Sequence, residues 1–162
     1  MTIFGLDPGY AIVGFGIISS SGQKSTEMRH GVIRTTPDQS HAERLAAIFR
    51  SVNTLLEAYT PDATAIEELF FNTNTKTAIQ VAQARGVIIA ACALKGVPVF
   101  EYTPLQVKQA VVGYGRAEKY QVMEMTRILL GMPGVPKPDD AADALAVALC
   151  HAQSATSMLA GL

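Results

Sequence analysis

The chain has 162 residues, 49% of them hydrophobic, with 13 Lys plus Arg against 14 Asp plus Glu and only 2 Cys. That hydrophobic share and a net charge of −1 exclude a disordered chain, and the length supplies a core that needs no structural metal or disulfide to hold it. No secretory leader is legible, the strongly apolar run 86–94 is too short to span a bilayer, and Cys92 and Cys150, set among Ala, Leu and Val, read as buried thiols of a reducing cytoplasm.

Residues 2–7, 12–19 and 28–35 are short runs rich in Ile, Val and Phe. Separated by Pro8-Gly9 and by Ser19-Ser20-Ser21-Gly22, they read as three antiparallel strands. Ser40 is placed to cap a helix in which Leu45, Ile48, Phe49, Val52, Leu55, Leu56 and Tyr59 recur every three or four residues. Beyond Pro61, residues 63–66 form a strand that ends in Glu67-Glu68, and a long helix over 75–95 is stopped by Gly96. Residues 97–101 make a fifth strand, which Pro98 assigns to a sheet edge. Helices follow over 104–111 and 118–130, and a last one starts near Asp139. A meander followed by strand–helix units closes through right-handed crossovers. The expected fold is therefore α/β, a mixed five-stranded sheet of three antiparallel strands plus parallel ones, flanked by helices. One domain is expected over 1–153, with a flexible tail over 154–162.

Four acidic positions lie at the ends of these elements, where open sheets of this kind place their sites. Asp7 closes the first strand in Gly5-Leu6-Asp7-Pro8-Gly9, a run that is also good turn chemistry. Glu67 or Glu68 closes the fourth strand, and beside the first strand its end meets Asp7. Asp140 and Asp143, three apart on a helix otherwise made of Ala, Leu and Val, share one face. The helix dipole accounts for Asp139 but not for Asp143, which lies past the first turn. Carboxylates about 4 Å apart repel by roughly 4 kcal/mol a pair at a surface-like dielectric, so such a cluster requires cations. Oxygen ligands select a hard ion, Mg²⁺ or Mn²⁺, and His30, His41 and His151 have no mutual spacing that suggests another metal. A pair of hard ions acts on both the attacking water and the leaving oxygen of a phosphodiester, so the residues imply metal-assisted phosphodiester hydrolysis. The near-neutral charge is compatible with a polyanionic substrate, because with four acids held by cations, 10 face 13 bases.

Six motifs stand in order along the chain: Gly5-Leu6-Asp7-Pro8-Gly9, Ala65-Ile66-Glu67, Gln83-Ala84-Arg85-Gly86, Val107-Lys108-Gln109 with Val112-Gly113, Ala117-Glu118-Lys119, and Asp140-Ala141-Ala142-Asp143-Ala144-Leu145-Ala146. Together they resemble the bacterial RuvC-type Holliday-junction resolvases. The resemblance implies a ribonuclease-H-like fold and a cytoplasmic homodimer that nicks two opposed strands of a four-way DNA junction in recombination and repair. It implies two Mg²⁺ per site, replaceable by Mn²⁺, and a branch-migration helicase complex, a junction-binding protein plus a ring ATPase, as partner. The metal ligands it implies are Asp7, Glu67, Asp140 and Asp143, choosing Glu67 over Glu68 and Asp140 over Asp139. Lys119 joins them as a catalytic residue near the scissile phosphate, and Lys108 as a DNA contact. One loop departs from the family pattern: Tyr10-Ala11-Ile12 stands where many relatives carry Ser or Thr followed by Arg.

Phe70-Phe71 precede the polar run Asn72-Thr73-Asn74-Thr75-Lys76. An aromatic ring there can stack on an unpaired base, at ~1–3 kcal/mol per base, while one of the two can instead plug the core. The resemblance points to Phe70 as the junction wedge. Asn72, Asn74 and Lys76 can hold adjacent phosphates, and Lys108, Arg116 and Lys119 flank Gly113-Tyr114-Gly115, whose amides can approach another. The helix over 75–95 is apolar nearly all round, with Ala82, Gly86, Ala90 and Ala93 permitting close approach of a second backbone. Its outer face belongs either to the monomer core or to a two-fold contact, and the resemblance selects the dimer. An actin-like sugar kinase or ATPase shares the Gly-x-Asp-x-Gly run but needs a second domain. A non-catalytic junction-binding module has no use for four converging acids, and a related RNA-cutting nuclease differs in substrate alone.

Overall fold

The computed structural model describes residues 1–69 and 75–159. In chain order the elements are β1 (Thr2–Asp7), β2 (Ile12–Ser20), β3 (Ser25–Arg34), α1 (His41–Tyr59), β4 (Ala63–Glu67), α2 (Thr75–Leu94), β5 (Val99–Tyr102), α3 (Pro104–Val112), α4 (Lys119–Leu129) and α5 (Asp139–Leu159). The sheet has the order β3-β2-β1-β4-β5. β1 pairs antiparallel with β2, and β2 with β3, whereas β4 is parallel to both β1 and β5. This is the mixed sheet expected from the meander and crossovers, with β5 at an edge. β3 starts earlier than residue 28, because Ser25 and Thr26 pair with Ser20 and Ser19 and polar residues give no strand signal. β5 starts later than 97: Pro98 has no N–H to offer, and only its carbonyl joins the ladder, accepting from Thr64 N at 2.9 Å.

Alternation along the strands divides the interior in two. Phe4, Leu6, Val13, Phe15, Ile17 and Ile66 face α1 and α2, packing on Ile48, Val52, Ala84 and Ile88. Ile3, Ile18, Ala65 and Tyr102 face α3, α4 and α5, packing on Val107, Val122, Leu145 and Leu149. The period-two rule thus sends Gly5, Asp7, Gly14, Gly16 and Glu67 to the α5 side. Ser40 begins α1 through a reciprocal cap: its Oγ accepts from Glu43 N at 3.3 Å, and the Glu43 carboxylate accepts from Ser40 N at 2.6 Å. Thr103 and Gln106 repeat the device ahead of Pro104 in α3.

α5 continues as helix to Leu159. Ser154 Oγ donates to the Cys150 carbonyl at 2.9 Å and Thr156 Oγ1 to that of Ala152 at 2.8 Å, so polar residues at the end of the helix turn their hydroxyls back onto its own backbone. The apolar helix also extends beyond the run 86–94: Thr75–Leu94 is long and apolar enough, by length and composition, to cross a membrane. Here one side of it, Ala84, Ile88, Ala91 and Cys92, is buried against the sheet and α1. The stripe Ile79, Gln83, Gly86, Ala90 and Ala93 is exposed, with nothing within 4 Å of where a Gly86 Cβ would stand. Cys92 and Cys150 are buried free thiols.

Candidate functional site

β1 and β4 run side by side in the register Leu6↔Ile66, so the next residue of each, Asp7 and Glu67, emerges at the same strand end and on the same face. Asp7 pairs across β1–β2 with Gly14. A side chain at Gly14 would run into the Asp140 carbonyl, and one at Gly5 into that of Ala144. Glycine on the sheet and alanine on the helix therefore let the two backbones touch, and this contact sets Asp140 beside Asp7. One turn further along α5, Asp143 lies in a cleft of about 250 Å³ together with Glu67, Lys108 and Lys119. Lys119, the first residue of α4, donates from Nζ to Asp143 Oδ2 at 3.1 Å and lies 3.7 Å from Asp139 Oδ2.

The electrostatics follow from this crowding. Burial pushes the Asp7 carboxyl up to about 8, with Glu67, Asp143 and Asp140 adding to the rise and Lys119 opposing it. Asp7 therefore keeps its proton at neutral pH when no cation is near, and it shares a hydrogen bond with Glu67. Burial also raises Glu67, helped by the Asp143 charge and opposed by Lys119 and Lys108. Asp143 is raised by burial against the Lys119 hydrogen bond. For Lys119, burial works to lower the ammonium, yet Asp143, Asp139 and Asp7 hold it above its ordinary range. Among the described residues, no three His, Cys, Asp or Glu side chains are gathered tightly enough to hold an ion as they stand. The ammonium in contact with the cluster is that of Lys119, with Lys108 lining the same cleft.

The structure thus brings together Asp7, Glu67, Asp140, Asp143, Lys119 and Lys108. Glu68, just past the end of β4, is absent from that cleft and lines a separate small cavity of about 40 Å³ with Asp7, Glu67 and Arg85. Asp139 is exposed. Arg116 is exposed between α3 and α4, and Lys76 is exposed on the first turn of α2. Phe70, Phe71, Asn72 and Asn74 lie outside the described residues. Arg85 has a larger structural part than its motif suggests. Its guanidinium pairs with Glu101 Oε2 at 2.9 Å, while Nε is buried with no partner among the described residues. A single cation in an otherwise uncharged stretch of apolar helix was the available signal. Tyr10, His41 and Arg44 also cluster at this end of the sheet, joined by hydrogen bonds and ring contacts that no sequence spacing announces.

Comparison with known proteins agrees with this geometry. The family model for crossover junction endodeoxyribonuclease RuvC matches residues 3–151. The RuvC of Alkaliphilus metalliredigens is 55% identical over 154 residues, covering 95% of this chain and 94% of that one. That of Ruminiclostridium cellulolyticum is 50% identical over 154 residues, covering 95% and 93%. A solved structure of Thermus thermophilus RuvC in complex with Holliday junction substrate is similar at a TM-score of 0.93 and 38% identity, over 98% of this chain and 96% of that one. The yeast mitochondrial Holliday junction resolvase shares the fold at a TM-score of 0.67 and 14% identity, over 98% and 83%.

Proposed function

The chain belongs to the RuvC family of crossover junction endodeoxyribonucleases, hydrolases that cut the phosphodiester backbone of Holliday junctions, and from this we propose that Asp7, Glu67, Asp140 and Asp143 hold the cations with which it does so. The observation that carries the assignment is the touching of β1, β4 and α5 where the four carboxylates emerge. An oxygen-only donor set, partly buried and mutually repulsive, fits two Mg²⁺ ions, with Mn²⁺ able to substitute. When bound, the pair supplies the Lewis acidity that activates a water and stabilises the leaving oxygen of a phosphodiester. Lys119, whose Nζ reaches Asp143 in this cleft, would offset the negative charge that develops on the scissile phosphate. Lys108 binds the phosphate beside it from the α3 wall of the same cleft.

Two such sites act on opposed strands if the chain is a homodimer. The exposed stripe of α2 supports this: small residues and an open Gly86 admit a second helix at close range. Phe70 is the wedge that holds the junction open, Phe71 is a further DNA contact, and Asn72, Asn74, Lys76 and Arg116 take neighbouring phosphates. The domain is the nuclease unit over 1–153. It works in the cytoplasm, beside the helicase complex that moves the branch point.

The assignment is tested by Asp7→Asn and Asp143→Asn. Each is expected to bind a synthetic four-way junction as the wild type does and to cut it at least about 1,000-fold more slowly. Loss of binding in both, or retained cutting in either, contradicts the ligand roles. Phe70→Ala is expected to slow resolution while leaving the melting temperature in place.

A further inference from the structure

The carboxylates occupy the β1–β4 crevice. Passing from β1 away from β4 at the same end of the sheet, one meets the β1–β2 turn, the last residue of β3 and the first turn of α1. There Tyr10 and Arg44 are built into one another. The guanidinium carbon of Arg44 lies 3.9 Å from the centre of the Tyr10 ring. Its Nε donates to Thr35 Oγ1 at 2.8 Å, and that hydroxyl donates to the Tyr10 carbonyl at 2.6 Å. The Tyr10 hydroxyl meets His41 Nδ1 at 2.7 Å, the rings 5.4 Å apart.

Bracing the turn after Asp7 accounts for the ring face, Nε and Thr35. It does not account for the two terminal nitrogens of Arg44, which have no acceptor among the described residues. A guanidinium fixed by one nitrogen and one face, with its outer fork open, is pre-organised for bidentate contact with a phosphate. Arg34 and His41, both exposed, add positive charge or donors at the same edge. The nearby acids are engaged elsewhere: Glu43 accepts from Ser40 N at 2.6 Å, and Asp38 hydrogen-bonds the Thr36 side chain.

We infer that Arg44, clamped by Tyr10 and Thr35 with His41 beside it, binds a backbone phosphate of the DNA strand lying in the carboxylate cleft, on the side opposite Lys108 and Lys119. A strand in that cleft is then gripped on both sides of the bond to be cut. This inference rests on the nuclease site proposed above.

The test is junction binding by the full-length wild type and by Arg44→Gln, Arg44→Lys and Tyr10→Leu, with chelator present so that nothing is cut, over a range of salt. Arg44→Gln is expected to bind about tenfold more weakly at moderate salt, with the slope of log affinity against log salt reduced by roughly 0.9, the value of one lost phosphate contact. Arg44→Lys is expected to recover the slope but only part of the affinity, since an ammonium keeps the charge and loses the fork and the stacking. Tyr10→Leu, which keeps the cation and frees it, is expected to weaken binding several-fold at an unchanged slope. A wild-type slope and affinity in folded Arg44→Gln overturn the inference. If that variant does not fold, wild-type affinity in both Arg44→Lys and Tyr10→Leu overturns it instead. Cutting by the wild type, assayed in parallel with Mg²⁺, separates the two claims: its absence removes the nuclease reading, whereas cutting together with an unaffected Arg44→Gln removes only the Arg44 site.

Discussion

Asp7 is the residue whose state depends most on what fills the cleft. Burial and three neighbouring carboxylates push it up to about 8, so the folded, metal-free protein binds a proton there that the unfolded chain releases near its ordinary value of 3.8. A raised folded value means stabilisation that is complete below the unfolded value and is lost as pH rises through the folded one. His151 has the opposite sign: burial lowers it, so its contribution is present above its ordinary 6.5 and is lost as pH falls. The two separate between about pH 7 and 8.5, where His151 is neutral in both states. In chelator the melting temperature is expected to fall across that window, and both Asp7→Asn and saturating Mg²⁺ should flatten the fall in scanning fluorimetry. An identical slope in Asp7→Asn contradicts the shared-proton description. Lys119 makes a second, separable prediction. Lys119→Ala should lower kcat about 100-fold with a smaller change in KM, and Lys119→Arg should restore part of it in single-turnover cutting assays.

Between elements, the contact that matters is α5 on β1 and β2. The helix carries Ala141, Ala144 and Ala148, each buried completely, and the strands meet it with glycines: Gly5 against Ala144 and Ala148, Gly14 against Asp140 and Gly16 against Leu145. Gly14→Ala has nowhere to put its methyl except into the Asp140 backbone. It is expected to cost about 1–3 kcal/mol in denaturant unfolding and to reduce cutting further than the stability loss explains, because the helix that carries two carboxylates must move. Gly134→Ala, with open space around it, should stay within about 0.5 kcal/mol and cut normally. Much of this layer was legible in the sequence. The Ala-rich helix announced a close approach, and Asp143, past the first turn of that helix, stood out as a candidate site residue. The strand glycines of Val13-Gly14-Phe15-Gly16 were the matching half, and they carry no period that marks them as a seat for a helix. Asp7 beside Glu67 required the pairing of β1 with β4, which sequence order alone left conditional. The choice of Glu67 over Glu68 came from the resemblance, because the residues alone did not fix which strand neighbours β4; the register Leu6↔Ile66 sets Glu67 beside Asp7. The contacts of Arg44 and Arg85 stayed hidden because each joins residues far apart in the chain: Arg44 is held by Tyr10 and Thr35, and Arg85 by Glu101.

For the molecule as a whole, the sheet order and the helices to either side follow from the meander and the crossover rule, and they leave an apolar stripe of α2 uncovered. Ile79 is 56% exposed on a stripe that continues through Gly86 to Ala93. Ile79→Asp is expected to leave the melting temperature of the protomer near the wild-type value and to convert a dimer to a monomer in sedimentation velocity. A wild-type dimer in this variant moves the two-fold contact off that stripe. In the proposed homodimer, symmetry links assembly to chemistry, since one protomer offers one carboxylate cleft and a four-way junction presents two equivalent strands. The most direct measurement is cleavage of an end-labelled synthetic four-way junction beside a linear duplex of matching sequence, with Mg²⁺ and with chelator, both cut positions being mapped. Paired nicks at symmetric positions, confined to the junction and dependent on metal, are the expected result. Tight junction binding with no cut under Mg²⁺ or Mn²⁺, or equal cutting of the linear duplex, contradicts the assignment of these four carboxylates to junction resolution.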